Sequence, residues 1–118
     1  MIRMPPPRCL ARVVRACVAR RDLAALSRAV RAAGPSALAG AWPRLSPLER
    51  LASFKSLPRR GTAETFALLD RDGRWLAYLG APIGSVAPLL EGAPSGARRR
   101  LRSPSRAERA AMRRALSR

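Results

Sequence analysis

Residues 42–81, WPRLSPLERLASFKSLPRRGTAETFALLDRDGRWLAYLGA, carry a step of twelve. Trp42, Phe54, Phe66 and Tyr78 stand twelve apart, and Leu45, Leu57, Leu69 and Ala81 follow at the same step. Twelve residues of a continuous helix turn through about 1200°, leaving successive members about 120° apart, so no single helical stripe produces this pattern. Short helices of two to three turns do produce it, each closed by a Pro- or Gly-containing corner and each sending one aromatic into a shared core. Units that small bury a face only when stacked. The stretch therefore predicts an all-α chain of seven or eight short helices, with a small right-handed superhelix, or solenoid, of about 12-residue units at its centre.

Capping chemistry supports the same division. Ser46-Pro47-Leu48-Glu49 places Ser at the N-cap, Pro at the first helical position and Glu at the third, a capping box that predicts a helix running to Pro58 with Leu48, Leu51, Phe54 and Leu57 inward. Gly61 and Thr62 open the next helix, with Ala63, Phe66 and Leu69 buried. Asp70 or Asp72 caps a third around Trp75 to Leu79, closed by Gly80 and Pro82. Trp42, Leu51, Phe54, Phe66, Trp75 and Tyr78 are the expected core. Ser85 to Glu91 accepts Pro88 in a first turn, where a missing N–H is harmless.

Upstream, MIRMPPPR reads as an irregular, proline-stiffened opening. Leu10, Val13, Val14, Cys17 and Val18 then form one helical face, with Arg8, Arg12 and Arg15 opposite. Asp22 caps a helix bearing Leu23, Leu26, Val30 and Ala33, which Gly34-Pro35 stops before a short stretch from Ser36 to Ala41. Downstream, Ser103-Pro104 and Ser105-Arg106-Ala107-Glu108 offer two overlapping starts for a last helix to about Leu116. The organisation read from these signals is a basic N-terminal arm and helix over 1–21, a helical repeat domain over 22–92, and a basic C-terminal arm and helix over 93–118.

The run WPRLSPLERLASFKSLP, with TAETFALLDRDGRWLAYLG and APIGSVAPLLEG after it, resembles the N-terminal superhelical domain of MgtE-type magnesium transporters, which is similar in turn to the middle domain of the flagellar motor protein FliG. Leu45, Pro47, Leu51, Phe54 and Leu57 match that family's short unit, and the resemblance covers residues 36–92. The transporter's nucleotide-sensing and membrane-spanning domains have no counterpart in these 118 residues, and no stretch approaches the ~20 consecutive apolar residues of a membrane helix. Magnesium sensing is not carried over, because the centre has only Glu49, Glu64, Asp70, Asp72 and Glu91 where the transporter domain is acidic. The resemblance implies a stand-alone, cytoplasmic adaptor or regulatory module that binds a protein partner.

Charge is the other large feature. The chain carries 24 Lys+Arg against 7 Asp+Glu, a net +17, and Lys55 is the sole lysine. Residues 1–31 hold +7, residues 32–97 hold +2 and residues 98–118 hold +8. The charge thus sits at the two ends. Arg98, Arg99, Arg100 and Arg102 precede Arg106, Arg109, Arg113 and Arg114, and the 102, 106, 109, 113 spacing lines one helical face able to neutralise phosphates. A nucleic-acid-binding protein using that helix is the alternative reading, although the arm has no aromatic residue for stacking on bases.

The chain has no His, Asn or Gln. Histidine-dependent acid/base chemistry, triads that rely on His, and His-ligated metal sites are excluded. Asp70-Arg71-Asp72-Gly73 has the opening of a calcium loop without its later oxygen ligands, so a helix-capping turn is the preferred reading. Cys9 and Cys17 lie ~12 Å apart along one helix, too far for a mutual disulfide. No Gly-rich phosphate loop or Cys-x-x-Cys pair occurs. The expectation is a protein that is not an enzyme and needs no cofactor or metal.

Overall fold

A computed structural model describes residues 7–94 and 96–117. Among these the chain is all-α, with seven α-helices, three short 3-10 turns and no strand. The irregular opening expected at the N-terminus falls on residues 1–6, outside the described residues; Pro7 already belongs to the first helix, where its missing N–H costs nothing. This helix, α1 (Pro7–Ala19), buries Leu10, Ala11, Val14, Cys17 and Val18. Val13, expected inward, is 44% exposed, because the buried stripe centres on Leu10, Val14 and Cys17 and leaves Val13 at its edge. Cys9 is exposed and Cys17 buried, and both are free thiols.

Helix α2 (Leu23–Ala41) is capped by Asp22, whose Oδ1 accepts from the Ala25 N–H at 3.1 Å. The stop expected at Gly34-Pro35 is a kink: Gly34 takes φ 87° and ψ 173°, a region essentially reserved for glycine, and the helix resumes to Ala41. Trp42–Arg44 then form a 3-10 turn.

Helices α3 (Pro47–Lys55), α4 (Arg59–Leu68) and α5 (Arg71–Leu79) start twelve residues apart. Their N-caps, Ser46, Pro58 and Asp70, are followed at the same step by Pro82, which precedes the 3-10 turn Ile83–Val86. All four caps share one extended geometry, with φ of −70°, −69°, −72° and −61°. The capping box at Ser46 forms in both directions, Glu49 N–H to Ser46 Oγ at 3.2 Å and Ser46 N–H to Glu49 Oε1 at 2.8 Å. Helix α4 begins at Arg59, earlier than Gly61, because Pro58 with its fixed φ supplies the extended cap. Leu45, Leu57, Leu69 and Ala81, one per unit, are all buried. A short α6 (Ala87–Leu90) and the final α7 (Arg106–Leu116) complete the chain.

Helix α1 lies along α2, α2 packs on α4, α3 on α5, and α5 on α7. Leu10, Leu26, Val30, Leu38, Leu57 and Val86 are inaccessible to water, and each such side chain contributes about 1.5–3 kcal/mol by burial. Trp42 and Phe54 meet edge to face, ring centroids 6.2 Å apart.

Two of the expected core aromatics lie further out. Trp75 is 38% exposed and Tyr78 half-buried, and they pair with each other at 6.1 Å. The cause is the face that α5 packs: Gly73, Ala77 and Gly80 are buried, so the helix approaches the body through its smallest residues. A Cβ on Gly73 would stand 3.1 Å from Trp42 Nε1, and one on Gly80 would stand 2.7 Å from Leu51 Cδ1 and closer still to Cδ2. Trp75 and Leu79 are thereby left exposed, while Leu76 and Tyr78 pack against the core's edge. Ala63, also expected inside, is exposed on α4.

Candidate functional site

Position 105 decides where α7 begins. Of the two overlapping start signals the chain uses Ser105, whose Oγ accepts from the Glu108 N–H at 3.2 Å while Glu108 Oε1 accepts from the Ser105 N–H at 3.3 Å. A start at Ser103 would place Arg106 at the third helical position, with no carboxylate to close the box.

Glu108 also fastens the helix to the body. Arg102 donates to it twice, from Nη1 and Nη2, both at 2.8 Å, and a further Nη2 bond of 3.0 Å reaches Thr62 Oγ1 on α4. Arg59 Nε lies 3.8 Å from the same carboxylate. The Arg102 hydrogen bonds, assisted by those of Ser105 and opposed by burial, hold the Glu108 carboxyl down at about 2. The Arg102 guanidinium is in turn raised by its bonds to Glu108.

This clasp sets α7 beside α4 and α5 and leaves a groove of about 460 Å³ between them. Phe66 and Met112 are its buried apolar residues; Ala63 and Ala67 of α4 and Ala111 and Ala115 of α7 line it, one i, i+4 pair on each helix. Arg74 of α5 lines the groove as well. Its Nε donates to Phe66 O at 3.1 Å, its Nη2 donates to Ala67 O at 2.8 Å, and its Cζ sits 5.9 Å from the Phe66 ring centroid. The guanidinium thus satisfies carbonyls at the end of α4 while keeping its charge at the groove.

The eight arginines singled out in the sequence divide differently. Arg98, Arg99 and Arg100 are exposed on the 3-10 turn Ala97–Arg100, which packs against α2. Arg99 and Arg100 border, with Arg21, a second cleft of about 550 Å³. Arg106, Arg109 and Arg113 fall within about 60° of one another on the outer face of α7, all exposed, and Arg114 is exposed beside them. Arg102 is off that face. It precedes the N-cap and turns inward to Glu108, so the 102, 106, 109, 113 row is not one helical face.

The groove itself escaped sequence reasoning. Its alanines carry no chemical signature, and in the sequence alone Glu108 and Arg102 have the character of a helix cap and a basic-arm residue. The available signal was the i, i+4 spacing of alanines in two helices, which has meaning only once α4 and α7 are known to be neighbours. Asp70 Oδ1 accepts the Gly73 N–H at 2.7 Å, the capping turn rather than an ion loop.

Among the described residues no group of three Asp, Glu or Cys side chains is placed to hold a metal ion, and no helix is long and apolar enough to cross a membrane. The chain matches no family model, no curated protein and no solved structure.

Proposed function

We propose that this chain is a non-catalytic helical-repeat module that binds a protein partner in the cytoplasm through the groove between α4, α5 and α7, in the manner of an adaptor or regulatory domain. The observation that carries this reading is the groove: apolar, about 460 Å³, walled by helices of 10 and 11 residues and lined by alanines over which a partner can approach closely. The twelve-residue step of α3 to α5 supports the resemblance to the N-terminal domain of MgtE-type transporters, and a short superhelix of such units is the architecture this reading assumes.

A second reading has its own observation. The arginines of the 97–100 turn and of the outer face of α7 have no carboxylate within 4.0 Å among the described residues, and such a surface can neutralise phosphates of a nucleic acid. Pull-down from nuclease-treated lysate separates the two. The adaptor reading expects a discrete protein retained at moderate salt by the wild-type chain and lost by Ala67→Phe or Ala111→Phe, which fill the groove from exposed positions. Retention of no protein, together with binding to arbitrary DNA or RNA that falls steeply with salt, would replace it by the second reading.

A further inference from the structure

We infer that the groove between α4, α5 and α7 takes an acidic amphipathic helix of the partner protein, its apolar face seated on Phe66 and Met112 and its carboxylates meeting Arg59 and Arg74. The inference rests on the proposed function and specifies the partner's chemistry.

Two cations stand at separate places along α4: Arg74 lines the groove, and Arg59 lies at its edge, 3.8 Å from the lining residue Glu108. Arg59 is at the first residue of α4 and 77% exposed at its side chain, with Glu108 already shared with Arg102. Arg74 is held at the Phe66 and Ala67 carbonyls, and no carboxylate lies within 4.0 Å of it among the described residues. Seven to eight residues of helix separate the two places, about 11 Å. A helix lying along the groove meets both if it carries acids about seven residues apart, with apolar residues between them.

The alanine pairs 63/67 and 111/115 allow the approach. Interhelical distance is set by the side chains at the contact, and a methyl group permits the short end of the usual 8–10 Å range. The apolar floor then rewards burial of aliphatic side chains on the partner.

Charge decides between occupants. A second copy of this chain would bring +17 against +17, a repulsive encounter. A nucleic acid gains nothing from an apolar, alanine-walled floor and finds more phosphate donors on the outer face of α7. An acidic helix is attracted by the field of the whole chain and is the occupant whose apolar stripe the groove can bury.

The test uses the full chain and a fluorescein-labelled 18-residue Leu/Glu amphipathic peptide with acids spaced by seven, followed by anisotropy at moderate salt. Two control peptides accompany it: the same composition scrambled to destroy the apolar face, and the same pattern with Lys for Glu. The Leu/Glu peptide is expected to bind at least about tenfold more tightly than either control, a difference of about 1.4 kcal/mol. Ala111→Phe should weaken it by about tenfold or more and Arg59→Ala by several-fold, whereas Arg106→Ala/Arg109→Ala/Arg113→Ala should change it by less than about twofold. Equal binding of the scrambled peptide, or loss on the triple substitution alone, would reduce the interaction to diffuse charge and overturn the inference. So would a concentration-dependent dimer, or duplex DNA binding, abolished by Ala111→Phe. If Ala111→Phe loses the protein captured from lysate while the Leu/Glu peptide fails to bind, the proposed function stands and this inference falls. If the captured protein survives Ala111→Phe, the groove is not the partner site and both fall.

Discussion

The Nζ of Lys55 donates to the carbonyl oxygen of Ala81 at 2.6 Å, joining the end of α3 to the corner after α5, and the Lys55 residue is 2% exposed. The Lys55 carbonyl in turn accepts the Arg102 N–H, so the same residue also holds the segment leading to α7. In a chain that uses arginine at every other basic position, this site holds lysine. A slim ammonium fits a single carbonyl acceptor in a closed core where a planar five-donor guanidinium does not.

Burial pushes the Lys55 pKa down from 10.5 to about 8. The unfolded chain therefore binds more protons than the folded one between those values, and stability rises with pH across pH 8 to 10.5. Urea unfolding at pH 7.5 and 10 should show the midpoint increasing, with a gain of order 1–3 kcal/mol attributable to this group. Lys55→Met, which keeps the volume and removes the titration, should flatten the rise. A rise of equal size in Lys55→Met would assign it to other groups.

Glu108 gives a slope of the same sign in the acid range. Its carboxyl titrates at about 2 in the folded chain against 4.5 for the free group, so the stability it contributes is present above about pH 4.5 and lost as pH falls toward 2. Glu108→Gln keeps the capping box, since Gln serves at that position, but leaves Arg102 without its counter-charge. A cost of about 1–3 kcal/mol is expected at pH 7, shrinking toward zero near pH 2, as read by denaturant unfolding at the two pH values.

Gly80→Ala should destabilise by about 1–3 kcal/mol, because the new methyl meets both Cδ atoms of Leu51 in the packed face between α3 and α5. The clash is specific, so the effect should be non-additive: in the Leu51→Ala background the same substitution should cost little or become favourable. A double-mutant cycle with no coupling between positions 51 and 80 would contradict this account of why α5 packs through glycine.

Ser46→Ala and Ser105→Ala remove the acceptors of the two capping boxes, and each should cost about 1 kcal/mol in thermal or urea unfolding. A larger loss at Ser105 than at Ser46 is expected, because the same Glu108 that closes its box also anchors Arg102.

Local chemistry made much of the fold legible. Asp22, Ser46, Asp70 and Ser105 announce helix starts through hydrogen bonds that span three residues, whereas Gly34-Pro35 announces a stop and the chain makes a kink there, with Gly34 in a backbone region closed to other residues. The step of twelve was visible because one buried aliphatic position recurs per unit at Leu45, Leu57 and Leu69. Trp75 misleads because hydrophobicity ranks it above Gly73 and Ala77, whereas close helix packing selects the smaller pair. The groove was not legible for a different reason. Its walls are alanines 44 to 52 positions apart in sequence, and what sets them opposite each other is the contact of Arg102 with Thr62 and Glu108, a tertiary arrangement with no local signature.

The central claim is that partner recognition takes place in the groove rather than on the arginine surface. Amide hydrogen exchange of the chain, free and with the protein captured from nuclease-treated lysate, tests it most directly. The account predicts slowed exchange in α4 (Arg59–Leu68) and α7 (Arg106–Leu116), with the Ala97–Arg100 turn unchanged. Protection at that turn with α4 unaffected would contradict it.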